Sequence, residues 1–180
     1  MRVIAGTARG VPLTAPRGHG TRPITDRVKE TLFGILGDRV PDARVADLYA
    51  GSGAIGIEAL SRGAASVDFV ERERVALGVI RANLERTHLE AHARVHADDV
   101  ERYLASAHDG PWDLAILDPP YEVRAMVAPL RALASQLAPG ASVVIKHFWR
   151  TEPPGIDALA VVRQRRFGET MLTFLAMEEA

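Results

Sequence analysis

The feature that most constrains the fold is a regular alternation of short apolar segments with helix-like segments after residue 43. The short segments have the length of buried strands, whereas the segments between them repeat apolar residues at helical spacing. The predicted strands comprise residues 45–48, 67–70, 93–97, 114–117 and 142–145. The predicted helices comprise residues 55–62, 74–86, 100–107 and 123–137. This alternation predicts an α/β fold, an open and mainly parallel sheet with helices on both faces.

Both ends of the chain depart from this alternation. Residues 158–165 and 171–177 have the composition of two strands, and Gly168 lies in the turn between them. Strands joined by a short turn pair antiparallel, so we expect a C-terminal hairpin at the edge of a seven-stranded sheet. Residues 2–5 and 11–13 predict a second, shorter β-hairpin at the N-terminus.

The N-terminal end also concentrates positive charge. Residues 1–29 hold six basic groups and one acidic group, although the whole chain of 180 residues has a net charge of −1. We therefore expect a basic arm over residues 1–24, and one larger domain over residues 25–180 whose first helix is capped by Thr25. Such an arm suits a polyanion such as RNA, although a solvated surface segment would carry the same charges. The candidate RNA contacts are Arg9, Arg22, Arg27 and Lys29.

Several absences narrow the function further. The chain has no cysteine, so neither a disulfide framework nor a thiolate metal site can form. No apolar run approaches the roughly 20 residues of a membrane helix, and no signal-peptide core follows the N-terminus. His88, His92 and His96 would share a face only on one unbroken helix, and His96 falls in a predicted strand. We expect a cytoplasmic protein without a metal site.

The loop after the first predicted strand holds the first chemical motif, Asp-Leu-Tyr-Ala-Gly-Ser-Gly-Ala-Ile-Gly at residues 47–56. Its glycines allow a tight turn and close approach of a ligand, at the strand end where doubly wound sheets bind ligands. The pattern, with Glu71 twenty residues after Gly51, also fits an NAD-dependent dehydrogenase. Asp47 favours a cationic ligand instead, because a carboxylate there would sit poorly beside a pyrophosphate.

A second motif, Asp118-Pro119-Pro120-Tyr121, directly follows the predicted strand at residues 114–117. Its prolines hold the chain extended and lack two N–H donors, which leaves backbone carbonyls as acceptors beside a carboxylate and an aromatic ring. The amino group of a nucleic-acid base needs such a set, with acceptors for its two hydrogens and a ring for stacking. An ordinary turn is the alternative, but the position after a strand and downstream of the glycine loop favours a site.

Together the two motifs resemble those of class I S-adenosylmethionine-dependent methyltransferases that act on amino groups. Over essentially its whole length, the chain is similar to the bacterial family that methylates the N2 amino group of guanine in small-subunit (16S) ribosomal RNA. The stretches that carry this resemblance are residues 4–10, 22–33 and 51–64. Residues 22–28 are the specific part, because Asp-Pro-Pro-Tyr also occurs in DNA adenine methyltransferases. Ile24 and Lys146-His147 depart from the family pattern, which has a small polar residue and an acidic residue there.

The resemblance implies a Rossmann-like methyltransferase fold, S-adenosylmethionine as cofactor, and guanine 966 in an assembled small-subunit particle as substrate. It places Glu71 on the ribose and Asp98 or Asp99 on the adenine amino group. Asp118 and the Pro119 carbonyl would hold the base amino group while Tyr121 packs on the base, and Pro120 completes this catalytic motif. The implied cofactor contacts are Asp47, Tyr49, Ala50, Gly51, Ser52, Gly53, Glu71, Arg72, Asp98, Asp99 and Asp118.

Other functions stay open on the sequence. A related enzyme could methylate adenine or cytosine in DNA, or a protein glutamine amide. A dehydrogenase would leave Asp-Pro-Pro-Tyr without a role, and a non-catalytic RNA-binding assembly factor would need no cofactor. We expect an enzyme that acts as a monomer, with ribosomal RNA as its partner and no membrane contact.

Overall fold

The computed structural model describes residues 1–16, 24–106, 109–119 and 124–177. The helices are α1 (Asp26–Leu36), α2 (Ala54–Ser61), α3 (Arg74–Thr87), α4 (Val100–Ser106) and α5 (Arg124–Ala134), with short 3-10 helices at Gly37–Arg39 and Glu90–His92. The strands are β1 (Arg44–Leu48), β2 (Ser66–Glu71), β3 (Ala93–Ala97), β4 (Trp112–Leu117), β5 (Leu137–Phe148), β6 (Leu159–Phe167) and β7 (Thr170–Met177). Across these ranges, every helix is too short or too polar to cross a membrane.

The strands form one sheet with the order β3-β2-β1-β4-β5-β7-β6. The first five strands pair in parallel, whereas β7 runs antiparallel to both of its neighbours, β5 and β6. The predicted parallel sheet with an antiparallel C-terminal hairpin, and the Rossmann-like methyltransferase fold, are therefore confirmed. The chain order reverses between β1 and β4, so the loops after these two strands flank the crevice where such sheets bind ligands.

Helices cover both faces of the sheet and bury an apolar cluster against each. One cluster joins α1, α2 and α3 to the sheet and includes Phe33 and Ile80, whereas the other joins α4 and α5 and includes Tyr103 and Leu130. The central strands β1 and β4 are buried on both faces, which is why they read as nearly continuous apolar runs. This double layer fixes the strand ends that carry the predicted motifs.

The N-terminal segment packs against the α1–α3 face. The predicted hairpin is present as local pairing, in which Val3 and Val11 lie on opposite sides and the Val3 N–H donates to the Val11 carbonyl at 3.0 Å. The side chains of Val3, Ala8 and Leu13 are buried in the cluster on this face. Residues 1–16 thus contribute to the core of the larger domain. The expected division between arm and domain stays a prediction.

Two predicted boundaries are wrong at the end of α5. The helix ends at Ala134 rather than at residue 137, and β5 begins at Leu137 rather than at residue 142. Leu137 is buried and pairs with Trp112 of β4, so contacts with the neighbouring strand hold it extended. Pro139 and Gly140, which predicted a helix end, instead lie in the first part of a long strand.

Candidate active site

Four of the predicted acidic residues meet at the carboxyl edge of the parallel sheet. Asp47 lies near the end of β1, Glu71 ends β2, Asp98 directly follows β3, and Asp118 directly follows β4. Because neighbouring strands lie about 4.8 Å apart, parallel pairing brings these carboxylates close together. The structure therefore gathers into one edge residues that are up to 71 positions apart in the sequence.

Asp47 is the most buried of the four, with 2% of its surface exposed. Its carboxylate accepts the Gly56 N–H, in the first turn of α2, at 2.9 Å. Burial raises the pKa of Asp47 to about 8, because desolvation outweighs the hydrogen bond from Gly56, and the charges of Asp118 and Glu71 raise it further. Near neutral pH this carboxyl group would ionise readily beside a cation.

The glycine loop has a backbone that other residues would strain. Gly51 and Gly53 have φ angles of 56° and 74°, in the left-handed region. A Cβ at Gly56 would lie 2.3 Å from a ring carbon of Phe69, so α2 packs on β2 at a distance that only glycine permits. The loop therefore places its backbone, rather than side chains, at the carboxyl edge.

The residues beside these glycines are held by backbone contacts and burial. Tyr49 has a φ of 62° and is half-buried, and burial raises the pKa of its hydroxyl to about 12. The Ala50 N–H donates to the Val70 carbonyl at 3.1 Å, which anchors the loop to β2. The Ser52 carbonyl accepts a hydrogen bond of 2.9 Å from the side chain of Asn83 in α3.

Asn83 was not among the residues predicted from the sequence. It is completely buried, and its amide group also bonds the Thr14 carbonyl and the Thr14 N–H, each at 2.9 Å. One side chain thus joins the glycine loop, α3 and the N-terminal segment. The sequence feature that could have identified it is its position: an amide side chain on the apolar face of α3, between Ile80 and Leu84.

Glu71 links the end of β2 to the glycine loop. Its Oε2 accepts the Gly51 N–H at 2.9 Å, and its Oε1 accepts the N–H groups of Arg72 and Glu73 at 2.8 and 2.9 Å. A carboxylate oxygen has more than one acceptor site, so Oε2 can still accept a ligand hydroxyl. The geometry therefore suits a carboxylate that binds a sugar diol.

Asp98 and Asp99 are both engaged by neighbouring groups. Asp98 pairs with Arg102, which lowers the pKa of its carboxyl, and it also accepts the Asp99 N–H at 2.7 Å. Asp99 accepts the Glu101 N–H at 3.0 Å at the start of α4, and it lies 3.4 Å from the guanidinium of Arg72. The Asp98 N–H donates to the Glu71 carbonyl at 3.2 Å, which brings Asp98 next to the β2 end.

Asp118 is clamped by Lys146, a contact that the sequence did not predict. The Lys146 Nζ lies 2.8 and 2.7 Å from the two carboxylate oxygens of Asp118. Leu117, the last residue of β4, pairs with Ile145 of β5, so Asp118 and Lys146, which follow them, are neighbours. Burial raises the pKa of Asp118, and the Lys146 ammonium opposes that rise. The sequence signal for this contact was Lys146 itself, which departs from the family pattern, but the sequence did not show that Asp118 is its partner.

Part of the predicted catalytic motif cannot be located. Pro120 and Tyr121 lie outside the described residues, as does Arg22 among the RNA candidates. Pro119 is described and buried, directly after Asp118 at the end of β4. The motif is therefore anchored at the predicted strand end by its first two residues.

The candidate RNA contacts differ in their exposure. Arg9 and Arg27 are exposed. The prediction for Lys29 is wrong, because its side chain is completely buried, and its ammonium donates to the Arg2 carbonyl and lies 3.4 Å from Glu58. Lys29 therefore acts inside the fold, and an RNA phosphate cannot reach it.

The three histidines that the sequence spaces four residues apart lie on different elements. His88 follows the last residue of α3, His92 lies in a 3-10 helix and His96 lies in β3. His96 does approach Asp68, with 3.0 Å between its Nε2 and a carboxylate oxygen, but Arg94 already binds both oxygens of Asp68 at 2.7 and 2.8 Å. Arg94 therefore occupies the Asp68 oxygens that a metal ion would need.

Comparison with known proteins gives consistent relatives. Residues 1–176 match the model of a family described as conserved hypothetical protein 95. The protein YlbH of Bacillus subtilis is 37% identical over 175 residues, which is 94% of this chain and 95% of that protein. Ribosomal RNA small subunit methyltransferase D of Escherichia coli K12 is 40% identical over 121 residues, which is 67% of this chain and 60% of that protein.

A solved structure extends the similarity to the whole fold. The yhhF protein of Escherichia coli superimposes with a TM-score of 0.87 at 31% identity, covering 100% of this chain and 99% of that one. The match to the family model spans nearly the entire sequence. The chain therefore belongs to the conserved hypothetical protein 95 family. The predicted relationship to bacterial small-subunit ribosomal RNA methyltransferases is confirmed by its similarity to ribosomal RNA small subunit methyltransferase D.

Proposed function

We propose that this chain transfers a methyl group from S-adenosylmethionine to the N2 amino group of a guanine in small-subunit ribosomal RNA. The substrate is guanine 966 in an assembled particle, and the enzyme acts as a cytoplasmic monomer. The observation that carries the proposal is the position of Asp118, which is clamped by Lys146 at the strand end next to the glycine loop. The relatives named ribosomal RNA small subunit methyltransferase D support the choice of substrate.

The residues at the sheet edge fit S-adenosylmethionine by their chemistry. Asp47 offers a buried acceptor for a cation, and Glu71 has acceptor capacity left for ribose hydroxyls. Asp98, kept ionised by Arg102, would accept from the adenine amino group. The turn at Gly51 leaves room for the ligand against the backbone.

Asp118 and the Pro119 carbonyl are the proposed acceptors for the two hydrogens of the guanine amino group. That nitrogen is a poor nucleophile because its lone pair is delocalised into the base, so its orientation decides the rate. Lys146 contacts both oxygens of Asp118 and opposes the rise in the pKa of this carboxyl that burial causes. Each oxygen can accept a second hydrogen bond, so the clamp leaves Asp118 free to hold the amine. Lys146 is thus a positioning residue that acts through Asp118.

When bound, S-adenosylmethionine would supply a methyl group on a sulfonium sulfur. As the new nitrogen–carbon bond forms, the sulfur–carbon bond breaks and its electron pair stays on the sulfur. The protein contributes alignment and electrostatics, for which well-oriented systems gain about 7–11 kcal/mol. The proton lost by the methylated nitrogen passes to Asp118 or to water. No covalent enzyme intermediate is needed, since the amine itself is the nucleophile.

The guanine must leave its stack to reach a pocket at the edge of the sheet. A target in a loop requires less unstacking than one in a helix. Tyr121 would then pack on the extruded base, where such stacking contributes roughly 1–3 kcal/mol. Arg9, Arg22 and Arg27 remain the proposed phosphate contacts on the N-terminal side.

The experiment that tests this proposal is methylation of small-subunit particles from cells that lack the endogenous methyl group. The protein is incubated with labelled S-adenosylmethionine, and the RNA is then digested to nucleosides. We expect label in N2-methylguanosine, and its loss in the Asp118→Asn variant. Label in an adenine or cytosine nucleoside, or in protein glutamine, would assign another acceptor. Binding of NAD but not of S-adenosylmethionine in calorimetry would overturn the proposal altogether.

A further inference from the structure

Trp149 and Arg150, in the turn that follows β5, form a cluster with Arg166 of β6. The guanidinium carbon of Arg166 lies 3.7 Å from the Trp149 ring centroid, and that of Arg150 lies 4.8 Å from it. Both arginines are exposed, and the ring holds each by a cation–π contact although the two like charges repel. The Arg166 Nε donates to the Gly168 carbonyl at 2.7 Å, so its two terminal NH₂ groups and the N–H groups of Arg150 are the donors that this cluster offers at the surface.

This cluster lies at the same sheet edge as the candidate active site. Lys146, which binds Asp118, precedes Trp149 by only three residues, or about 10 Å of extended chain. The Trp149 N–H donates to the Glu169 carbonyl at 2.9 Å, which ties this turn to the turn between β6 and β7. The tip of the C-terminal hairpin therefore borders the pocket.

Two further arginines of β6 lie on the face opposite to Arg166, because successive side chains of a strand alternate. Arg165 pairs with Leu172, and Leu172 pairs with Lys146, so these three side chains lie in one row on one face of the sheet. Arg163 lies on the same face, two residues earlier in β6. Arg163 and Arg165 are exposed, and neither forms a side-chain hydrogen bond or ion pair with another described residue.

We propose that Trp149, Arg150 and Arg166, here termed the hairpin surface, bind the phosphate backbone of the RNA beside the target nucleotide. The inference rests on the proposed function for the identity of the RNA. Guanidinium groups bind phosphate through two parallel hydrogen bonds, and neutralising phosphates releases counterions. Charges that discourage strand-edge aggregation would explain Arg163 and Arg165, but they would not explain two guanidinium groups on Trp149, which lies outside β6.

The test compares two double variants that lose the same charge. Arg150→Gln with Arg166→Gln removes the cluster, whereas Arg81→Gln with Arg131→Gln removes exposed charges on α3 and α5 and serves as the control. The dissociation constant for small-subunit ribosomal RNA is measured over a salt series for both variants and the wild type. We expect roughly tenfold weaker binding for the cluster variant, and a salt slope that is smaller by about 1–2. Affinity for S-adenosylmethionine and the thermal midpoint should match the control.

The outcomes separate this inference from the proposed function. If the cluster variant binds RNA with the affinity and salt slope of the control, the hairpin surface is not an RNA contact. If it also methylates guanine with an unchanged KM for RNA, the surface is refuted and the function stands. If the cluster variant loses RNA affinity but the wild type adds no methyl group to guanine, the surface stands and the proposed chemistry fails.

Discussion

Two lysine–carboxylate pairs in this molecule have the same chemistry but opposite surroundings. Lys29 and Glu58 are both completely buried, with 3.4 Å between the ammonium and the carboxylate. Lys146 and Asp118 lie 2.7 Å apart at the sheet edge, where the Asp118 side chain is 36% exposed. The first pair is enclosed by the fold, whereas the second is open to a ligand.

The partners of each carboxylate explain the difference. Glu58 also accepts the N–H groups of Ile4 and Ala5 at 2.8 and 3.0 Å, and the guanidinium of Arg62 at 2.8 Å. All of its acceptor capacity is therefore used to attach the N-terminal segment to α2. The Asp118 carboxylate is bonded by Lys146 alone among the described residues, which leaves acceptor sites for a substrate. A saturated pair stabilises the fold, and an unsaturated one can bind.

The largest effect should come from the enclosed pair. Glu58→Gln leaves the Lys29 ammonium buried without its counter-ion and removes an acceptor from the N-terminal backbone. We expect the free energy of unfolding to fall by about 3–5 kcal/mol, measured by urea denaturation. Asp118→Asn is the matched control, and its stability should change by less than about 1 kcal/mol. Equal losses in the two variants would remove the distinction between the pairs.

The next effect concerns the open pair and is catalytic. Asp118→Asn keeps the shape of the side chain but replaces one acceptor with a donor that faces the amino group. We expect kcat to fall by about 10²–10³, the size of effect found when one electrostatic contact to a transition state is removed. Single-turnover methylation of small-subunit particles measures this change. Unaltered kcat in a folded variant would exclude Asp118 from the reaction.

Lys146→Met tests whether the clamp acts through Asp118. Lys146 opposes the rise in the pKa of Asp118, so without it the pKa rises further and the carboxyl is protonated at higher pH. The acid limb of the kcat profile should therefore move to higher pH, with a larger loss of kcat at pH 6.5 than at pH 8.5. Lys146→Arg, which keeps the charge, should retain the wild-type limb. A uniform loss at all pH values would indicate a merely structural role.

The smallest effect on stability should come from Asp47, whose carboxyl group has no lysine partner within the described ranges. Its pKa of about 8 exceeds that of the unfolded chain, so the folded state holds more protons between about pH 4 and pH 8. This group therefore removes stability as the pH rises through that window. Asp47→Asn should raise the thermal midpoint by about 2–4 °C at pH 8.5 and by less at pH 5, while weakening S-adenosylmethionine binding. A midpoint difference that does not depend on pH would contradict the assigned pKa.

The sequence predicted the elements well where local signals agree with the packing. Thr25 was expected to cap the first helix, and its hydroxyl accepts the Val28 N–H at 3.3 Å. The strand ends that carry Asp47, Glu71 and Asp118 were also placed correctly. The end of α5 was missed because Pro139-Gly140 suggests a stop, whereas pairing with β4 sets the conformation of Leu137.

The site was predicted less completely, because its hydrogen bonds join distant parts of the chain. Asn83 binds residues 69 and 31 positions away, and no local pattern distinguishes it from any other amide on a helix. The unusual Lys146 was visible in the sequence, but only the pairing of β4 with β5 shows that it meets Asp118.

The sequence by itself determined the α/β alternation, the two motifs at strand ends and the family, because each is encoded in neighbouring residues. Only the tertiary structure decided which charges are available to a partner. Lys29 lies within the basic N-terminal stretch yet is enclosed by Glu58, whereas Arg163 and Arg165 of β6 remain exposed. The physical reason is that burial and ion pairing depend on the residues that folding brings into contact, and the net charge of a segment does not contain that information.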